Sequence, residues 1–224
     1  MKRKVAVLGA TGRTGVWIVK EALNRGYAVN ALVRAQSSLD IEHPDLTLVK
    51  GVPTSATDLK QAMQGCDAVL SALNISRKTE WWLWSKLSSS PTFLSEVAEK
   101  IVAVAKTIGL KRCLIVTAWG TGETKEDIPG WFRFFIDFTN IGVTYRDHER
   151  QEEIWKKSGL DWTVVRPVGL TNDTDEKAIQ VLLESKSTQP DKLTISRREV
   201  AKFMLDALQN ECYIQQKPII SYKK

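Results

Sequence analysis

Lys4-Val-Ala-Val-Leu8, then Gly9-Ala-Thr-Gly12-Arg-Thr-Gly15, then Val16-Trp-Ile-Val-Lys-Glu-Ala-Leu-Asn-Arg25 is the stretch whose reading decides the fold. The first segment is an apolar run too short for a helix and rich in Val and Leu, which reads as a buried strand. Behind the three glycines, Val16, Val19, Ala22 and Leu23 repeat at helical intervals. A strand, a glycine turn and a helix in that order present unpaired helix N-terminal N–H groups to a pyrophosphate. One glycine permits the tight turn, one lets a phosphate approach the backbone, and one lets helix and strand pack closely. The glycine spacing alone is weak; the flanking strand and helix make it a dinucleotide signature.

Outward from that turn, Gly26 ends the helix and Ala28–Val33 reads as a second strand. Arg34 follows at its C-terminal end, about twenty residues past the turn, where an acidic side chain would accept hydrogen bonds from a ribose and favour NAD. A guanidinium there suits a 2′-phosphate instead, and Arg13 inside the turn can reach the same group. The expected cofactor is NADP(H).

Leu46–Lys50 reads as a third strand, ending at Gly51-Val52, and Thr57–Met63 as a short helix capped from Ser55 or Thr57. Ala68–Leu73 is a fourth strand. Pro91 opens a long amphipathic helix to about Ile108, closed by Gly109. Cys113–Thr117 is a fifth strand. This alternation predicts an α/β fold of Rossmann type, doubly wound, with a mainly parallel sheet and helices on both faces. The second half is less regular. Trp119–Pro129 reads as a polar loop, Tyr145–Lys157 as a helix and Trp162–Pro167 as a sixth strand. Ala178–Glu184 and Leu193–Ile195 read as short strands around a turn at Pro190-Asp191. Ser196-Arg-Arg-Glu199 is a capping box for a helix to about Asn210, and Pro218–Ser221 a last edge strand.

The chain has 224 residues, of which 43% are hydrophobic and 26% charged, ordinary for a globular protein. We expect one NAD(P)-binding domain over residues 1–224, with small C-terminal elements on the substrate side. The net charge of +6 is scattered, with no basic run interleaved with aromatics, so no nucleic-acid partner is expected. Cys66, Cys113 and Cys212 form no C-x-x-C pair and read as thiols of a reducing compartment. No segment approaches ~20 consecutive apolar residues, and no apolar leader opens the chain. The expected setting is cytoplasmic, without a membrane, as a monomer or homodimer.

Gly9–Gly15 with Arg34 resembles the atypical short-chain dehydrogenase/reductase superfamily. Asp147-His148, the run Glu152–Leu160, Asp161–Pro167 and the Ile195–Leu208 stretch narrow the resemblance to its NAD(P)H-binding group, with the flavin/biliverdin-IXβ reductases and NmrA-like proteins. The resemblance implies that Gly9, Thr11, Gly12, Arg13 and Thr14 hold the pyrophosphate and 2′-phosphate, the latter with Arg34. It places Ala72 and Leu73 beside the adenosine and ribose. Thr117 falls on the nicotinamide side, and Pro167-Val168-Gly169 line the nicotinamide pocket. Two positions depart from the pattern. Gly51-Val52 stands where relatives carry Gly-Asp, and Thr117-Ala118-Trp119 stands where many carry a serine.

Well-known members use Tyr-x-x-x-Lys, whose lysine lowers the tyrosine pKa for protonating a carbonyl oxygen. Here Tyr145 is followed at the fourth position by Glu149, so that relay is missing. Tyr145 and His148 share one helical face. His148 matches a histidine position of the flavin/biliverdin reductase pattern and is a competent proton donor, or else only a helix histidine bonded to a neighbouring loop. The candidate catalytic set is therefore His148, Thr117 and Tyr145, with no metal ligands. Without the relay, a conjugated acceptor such as a flavin or quinone fits better than an isolated ketone, whose alkoxide needs a dedicated stabiliser. A dinucleotide sensor of NmrA type, which binds cofactor without turnover, is the alternative from another class. Two aromatic segments, Glu80–Trp84 with Ser88–Ser90 and Trp131–Phe135 with Phe138, follow strand ends and lack clean helical patterning. They read as a lid and wall over a flat substrate, as packing between loops, or as a dimer interface.

Overall fold

The computed structural model describes residues 2–76, 84–183 and 189–224. Its main sheet has eight strands in the order β3-β2-β1-β4-β5-β6-β10-β8. The strands are β1 (Lys4–Leu8), β2 (Ala28–Val33), β3 (Leu46–Lys50), β4 (Ala68–Ser71), β5 (Arg112–Val116), β6 (Asp161–Pro167), β8 (Ile179–Leu182) and β10 (Ile219–Tyr222). Every pairing is parallel except that of β10 with β8. The central strands β1 and β5 are buried on both faces, apart from the first residue of β1, as their unbroken apolar runs require. The chain winds outward from β1 through β2 to β3, then restarts at β4 on the other side. The crevice between β1 and β4 is therefore a topological switch point, where such sheets place their ligands.

Helices α1 (Gly15–Asn24) and α6 (Arg197–Gln209) cover one face of the sheet, burying Ile18, Val19, Ala22, Met204 and Leu205. Helices α2 (Ala56–Met63), α3 (Phe93–Ile108) and α5 (Ile141–Lys157) cover the other, burying Leu59, Met63, Ile101 and Trp155. Both caps read from the sequence form. Ser55 Oγ accepts from Asp58 N at 3.3 Å to start α2, and Ser196 Oγ accepts from Glu199 N at 3.1 Å to start α6.

Three expectations are corrected. Gly130–Phe138 is a helix, α4, although its aromatic residues run round much of its surface and obscured the helical period. The two short strands of the C-terminal part do not pair with each other. β8 joins the main sheet, whereas β9 (Thr194–Ser196) pairs in parallel with β7 (Gly169–Thr171), a strand the sequence did not announce. The last strand, β10, is no edge: it lies between β6 and β8, which explains its full burial. Among the described residues no helix is long and apolar enough to cross a membrane.

Candidate active site

The glycine turn joins β1 to α1 with backbones in contact. Gly9 has φ +78°, and a Cβ there would stand 2.9 Å from the Ala72 carbonyl oxygen. A Cβ on Gly15 would lie 1.9 Å from the Gly9 carbonyl oxygen, so only glycine lets α1 start this close to the strand. Gly12 N donates to Gly9 O at 2.9 Å, folding the turn on itself. The first turn of α1 carries no acidic residue, and Thr14 makes no side-chain cap bond. The amides of Thr11 and Thr14 donate to no backbone carbonyl among the described residues. Glycine-only approach and uncommitted amides at a helix N-terminus fit a pyrophosphate. Ala72 and Leu73 flank this turn: Ala72 N is tied to Leu8 O at 3.0 Å, and the Leu73 side chain lies 3.3 Å from the position of a Gly9 Cβ.

Arg13 and Arg34 are both exposed at the same end of the sheet, one in the turn and one at the end of β2. At the end of β3, the carboxylate missing from residue 52 is supplied by α2 instead. Asp58 Oδ2 accepts from Val52 N at 2.8 Å and packs against Gly51.

Beyond the ends of β4, β5 and β6 lies a cavity of about 360 Å³. Thr117, Pro167, Val168 and Gly169 line it, as the resemblance implied, and so do Tyr145 and His148. The indole and phenyl rings of Trp119, Trp131 and Phe132 add aromatic walls. Asn74, Ile75, Ile141, Thr144, Leu170, Leu193 and Arg197 were not singled out from the sequence, because each comes from a loop, the first turn of a helix or the short strand β7, whose position only the folded chain fixes. The aromatic helix α4 divides its residues. Trp131 and Phe132 face the cavity, whereas Phe134 and Phe138 stack on each other at 4.7 Å on the exposed side. Of the other aromatic segment, Trp81 and Trp82 lie outside the described residues. Its Trp84 and Ser85 carbonyls each accept from Asn140 Nδ2 at 3.0 Å, next to the start of α5.

His148 is buried, and desolvation pushes its pKa down to about 4. The ring is therefore neutral at pH 7. Gln151 Nε2 donates to His148 Nδ1 at 2.8 Å, which leaves the ring proton on Nε2. Tyr145 donates a long hydrogen bond, 3.4 Å, to the Trp119 carbonyl, and burial pushes its phenol well above the ordinary value. That is the reverse of what a relay lysine does. Thr117 is held from the other side: its hydroxyl donates to Glu152 Oε1 at 2.9 Å.

Glu152 belongs to a buried ion-pair network that no residue spacing announces. Arg166 Nε bonds Glu152 Oε1 at 3.0 Å and Arg166 Nη2 closes a second bond to Glu152 Oε2. Arg166 Nη1 reaches Glu123 Oε1 at 2.8 Å, and Lys217 Nζ reaches the same oxygen at 2.5 Å. Partial burial pushes the Glu123 carboxyl up, but the hydrogen bonds from Arg166 and Lys217 outweigh it and hold the group at about 2. Asp147, adjacent to His148, stays out of the cavity and accepts hydrogen bonds from the start of α3.

A parallel sheet wound to both sides of a switch point, with this glycine turn, defines a Rossmann-type dinucleotide-binding fold. The chain belongs to the NAD(P)H-binding family, whose match extends over residues 9–211. It is 30% identical over 216 residues to an uncharacterized chloroplastic protein of Arabidopsis thaliana, covering 93% of this chain and 73% of that one. It is 25% identical over 211 residues to an uncharacterized sugar epimerase of Bacillus subtilis, covering 92% and 87%. Among solved structures, a short-chain dehydrogenase/reductase of Veillonella parvula in complex with NADP superposes with a TM-score of 0.79 at 16% identity, covering 99% and 95%.

Proposed function

We propose that this chain is an NADPH-dependent reductase that passes hydride to a flavin, quinone or other conjugated small-molecule acceptor. The observation that carries the reading is the cavity: aromatic on several sides, set beside the strand ends, and with no lysine among the described residues that line it. In this reading Gly9, Thr11, Gly12, Arg13 and Thr14 hold the pyrophosphate, and Arg34 with Arg13 holds the 2′-phosphate. Ala72 and Leu73 border the adenosine side, and Thr117 with Pro167-Val168-Gly169 borders the nicotinamide. The cofactor supplies the hydride. The rings of Trp119, Trp131 and Phe132 orient a flat acceptor and exclude water. His148 presents its Nε2–H at the cavity wall as a hydrogen-bond donor that stabilises an oxygen or nitrogen of the acceptor as electron density reaches it, and the proton that completes the product is taken up from solvent as the product leaves. Addition of hydride and one proton then gives the two-electron-reduced product. An isolated ketone finds less support, since Tyr145 is a weaker acid than usual and Glu149 replaces the relay lysine. The epimerase resemblance meets the same obstacle.

The NmrA-type sensor is favoured by one observation: each hydroxyl or imidazole of the candidate set is already engaged by the protein. NADPH oxidation followed by absorbance with FMN, menadione and dichlorophenolindophenol separates the two. Turnover with at least one acceptor is expected; micromolar NADPH binding without turnover on any of them selects the sensor. Three unpaired cysteines support a reducing, cytoplasmic setting.

A further inference from the structure

We infer that Gln151 and Glu152, which do not line the cavity, fix the proton positions of His148 and Thr117, which do, and that the cavity therefore takes a flat ligand with a carbonyl oxygen beside a neutral N–H. The two positioning residues are neighbours in α5, and both are buried. Glu152 is ion-paired to Arg166 and can only accept, so the Thr117 hydroxyl commits its one proton to Glu152 Oε1 at 2.9 Å. A hydroxyl bound in this way has only lone pairs left for the cavity. Gln151 does the opposite for His148. Its amide donates to Nδ1 at 2.8 Å, so the ring carries its proton on Nε2. Nε2 has no partner among the described residues, yet it is not sealed in as the Trp119 and Trp155 Nε1 atoms are, so it opens on the cavity. His148 and Glu152 stand one helical turn apart, where Cβ atoms are about 5–6 Å from each other. Thr117, held by Glu152, therefore lies close to the imidazole. One wall thus offers a donor and an acceptor side by side, with the rings of Trp119, Trp131 and Phe132 on other sides. A cyclic amide or imide fused to an aromatic ring matches both: its carbonyl accepts from His148 and its N–H donates to Thr117. A plain quinone satisfies the donor and leaves the threonine oxygen unmatched.

That this ligand also accepts hydride rests on the reductase reading; the hydrogen-bond pattern does not. The test is calorimetric titration of the full chain with saturating NADP+ at pH 7, using 1,8-naphthalimide and its N-methyl derivative, which are flat, uncharged and differ at the one N–H. The wild type is expected to bind the N–H imide about tenfold more tightly. A methyl group can also be refused for its size, and Thr117→Val separates the two causes. That variant keeps the shape of the wall and loses the acceptor, so the ratio is expected to fall below about threefold. Thr117→Ser keeps the oxygen and is expected to keep the preference. Equal affinities in the wild type, no binding of either imide, or an unchanged ratio in Thr117→Val overturns the inference. A second readout needs no ligand. The chain has two histidines, so 15N shifts of the labelled protein, assigned with His43→Gln, report the His148 tautomer directly. The wild type is expected to carry the proton on Nε2, and Gln151→Leu a mixture of both tautomers. A proton on Nδ1 in the wild type, or an unchanged pattern in Gln151→Leu, also overturns it. An imide preference without turnover on any acceptor defeats the reductase reading alone; turnover without the preference defeats this one alone.

Discussion

Asp147, in the middle of α5, closes the N-terminus of α3 at Leu94: its Oδ2 accepts from Leu94 N at 2.7 Å, and its Oδ1 accepts from Ser95 Oγ at 2.6 Å. The residue at the usual capping position, Thr92, makes no side-chain cap bond, so the donors of α3 are satisfied from another helix. A carboxylate there also meets the positive end of the helix dipole. The same bond ties α3 to the helix that carries His148. Asp147→Ala leaves the buried Leu94 N–H without its acceptor and the Ser95 hydroxyl with only the Thr92 carbonyl at 3.1 Å, and an unfolding cost of about 2 kcal/mol is expected. Asp147→Asn keeps one acceptor oxygen and is expected to cost less. Urea unfolding measures both, and a midpoint unchanged by Asp147→Ala contradicts the assignment.

His148 gives a pH dependence whose sign is fixed by its burial. Its folded pKa lies at about 4, below the unfolded value of 6.5. Between those values the unfolded chain binds more protons at this site, so stability is present above pH 6.5 and is lost as pH falls toward 4. The difference is on the order of 3 kcal/mol. A His148→Gln variant should show a flatter stability profile over that window than the wild type. If His148 donates as a neutral ring, the rate of acceptor reduction has no inflection near pH 6.5. Parallel stability profiles contradict the buried neutral ring.

Arg34 governs the cofactor preference in the reading above. Its guanidinium makes no side-chain hydrogen bond or ion pair among the described residues, and its backbone carbonyl accepts from Ser37 N at 2.9 Å to turn the chain after β2. Arg34→Glu replaces a phosphate-binding cation with a ribose-binding acid. NADPH affinity is expected to fall at least about tenfold, with NADH unchanged or tighter. Tighter NADH than NADPH binding by the wild type sinks the preference.

What was legible in the sequence follows from how local the determining physics is. The turn at Gly9–Gly15 is read from seven consecutive residues, because its constraint is a clash within that segment, between the position of a Gly15 Cβ and Gly9 O. β1, β2, β3 and β6 each carry an apolar run whose flanking turns are also local. The C-terminal strands were harder: β7 and β9 have three residues each and exist through their partner, not through a pattern of their own. The cavity was half legible. Thr117 and Pro167–Gly169 follow strands whose ends place them, whereas Arg197 reads as the first residue after a capping box, and only the packing of α6 brings it to the wall. Asp147 and Glu152 drew notice only through resemblance, since their partners lie 53 and 14 residues away.

Gly15 tests the close packing of the cofactor turn. A methyl group would stand 1.9 Å from Gly9 O and 3.0 Å from Ala10 Cα, both backbone, so no side-chain rotation relieves it. Gly15→Ala is expected to displace α1, lower stability by about 3 kcal/mol, and abolish NADPH binding. Gly26→Ala is the control, with nothing within 4 Å of its added methyl, and should retain binding at the modest cost of its positive φ. NADPH fluorescence titration reads both, and binding retained by Gly15→Ala contradicts the cradle.

Glu152 and Arg166 link the wall of the cavity to its support. Arg166 is 1% exposed and meets two carboxylates, one of them buried with it. Removing a single partner leaves the guanidinium undercompensated, so Glu152→Gln is expected to cost about 3–5 kcal/mol, more than any surface ion pair of this chain. It also replaces the charged acceptor of the Thr117 hydroxyl with a neutral amide oxygen, which weakens that bond without removing it. Glu123 behaves differently because it is half exposed. Its folded pKa of about 2 lies below the unfolded value of 4.5, so its stabilisation is present above pH 4.5 and is lost as pH falls through 2. Glu123→Gln should therefore lose stability at pH 7, by less than Glu152→Gln because the pair is half exposed, and approach the wild type as pH falls toward 2. Urea midpoints at pH 7 and pH 3 distinguish the two variants, and equal effects at pH 7 contradict the ranking that burial imposes on the two glutamates.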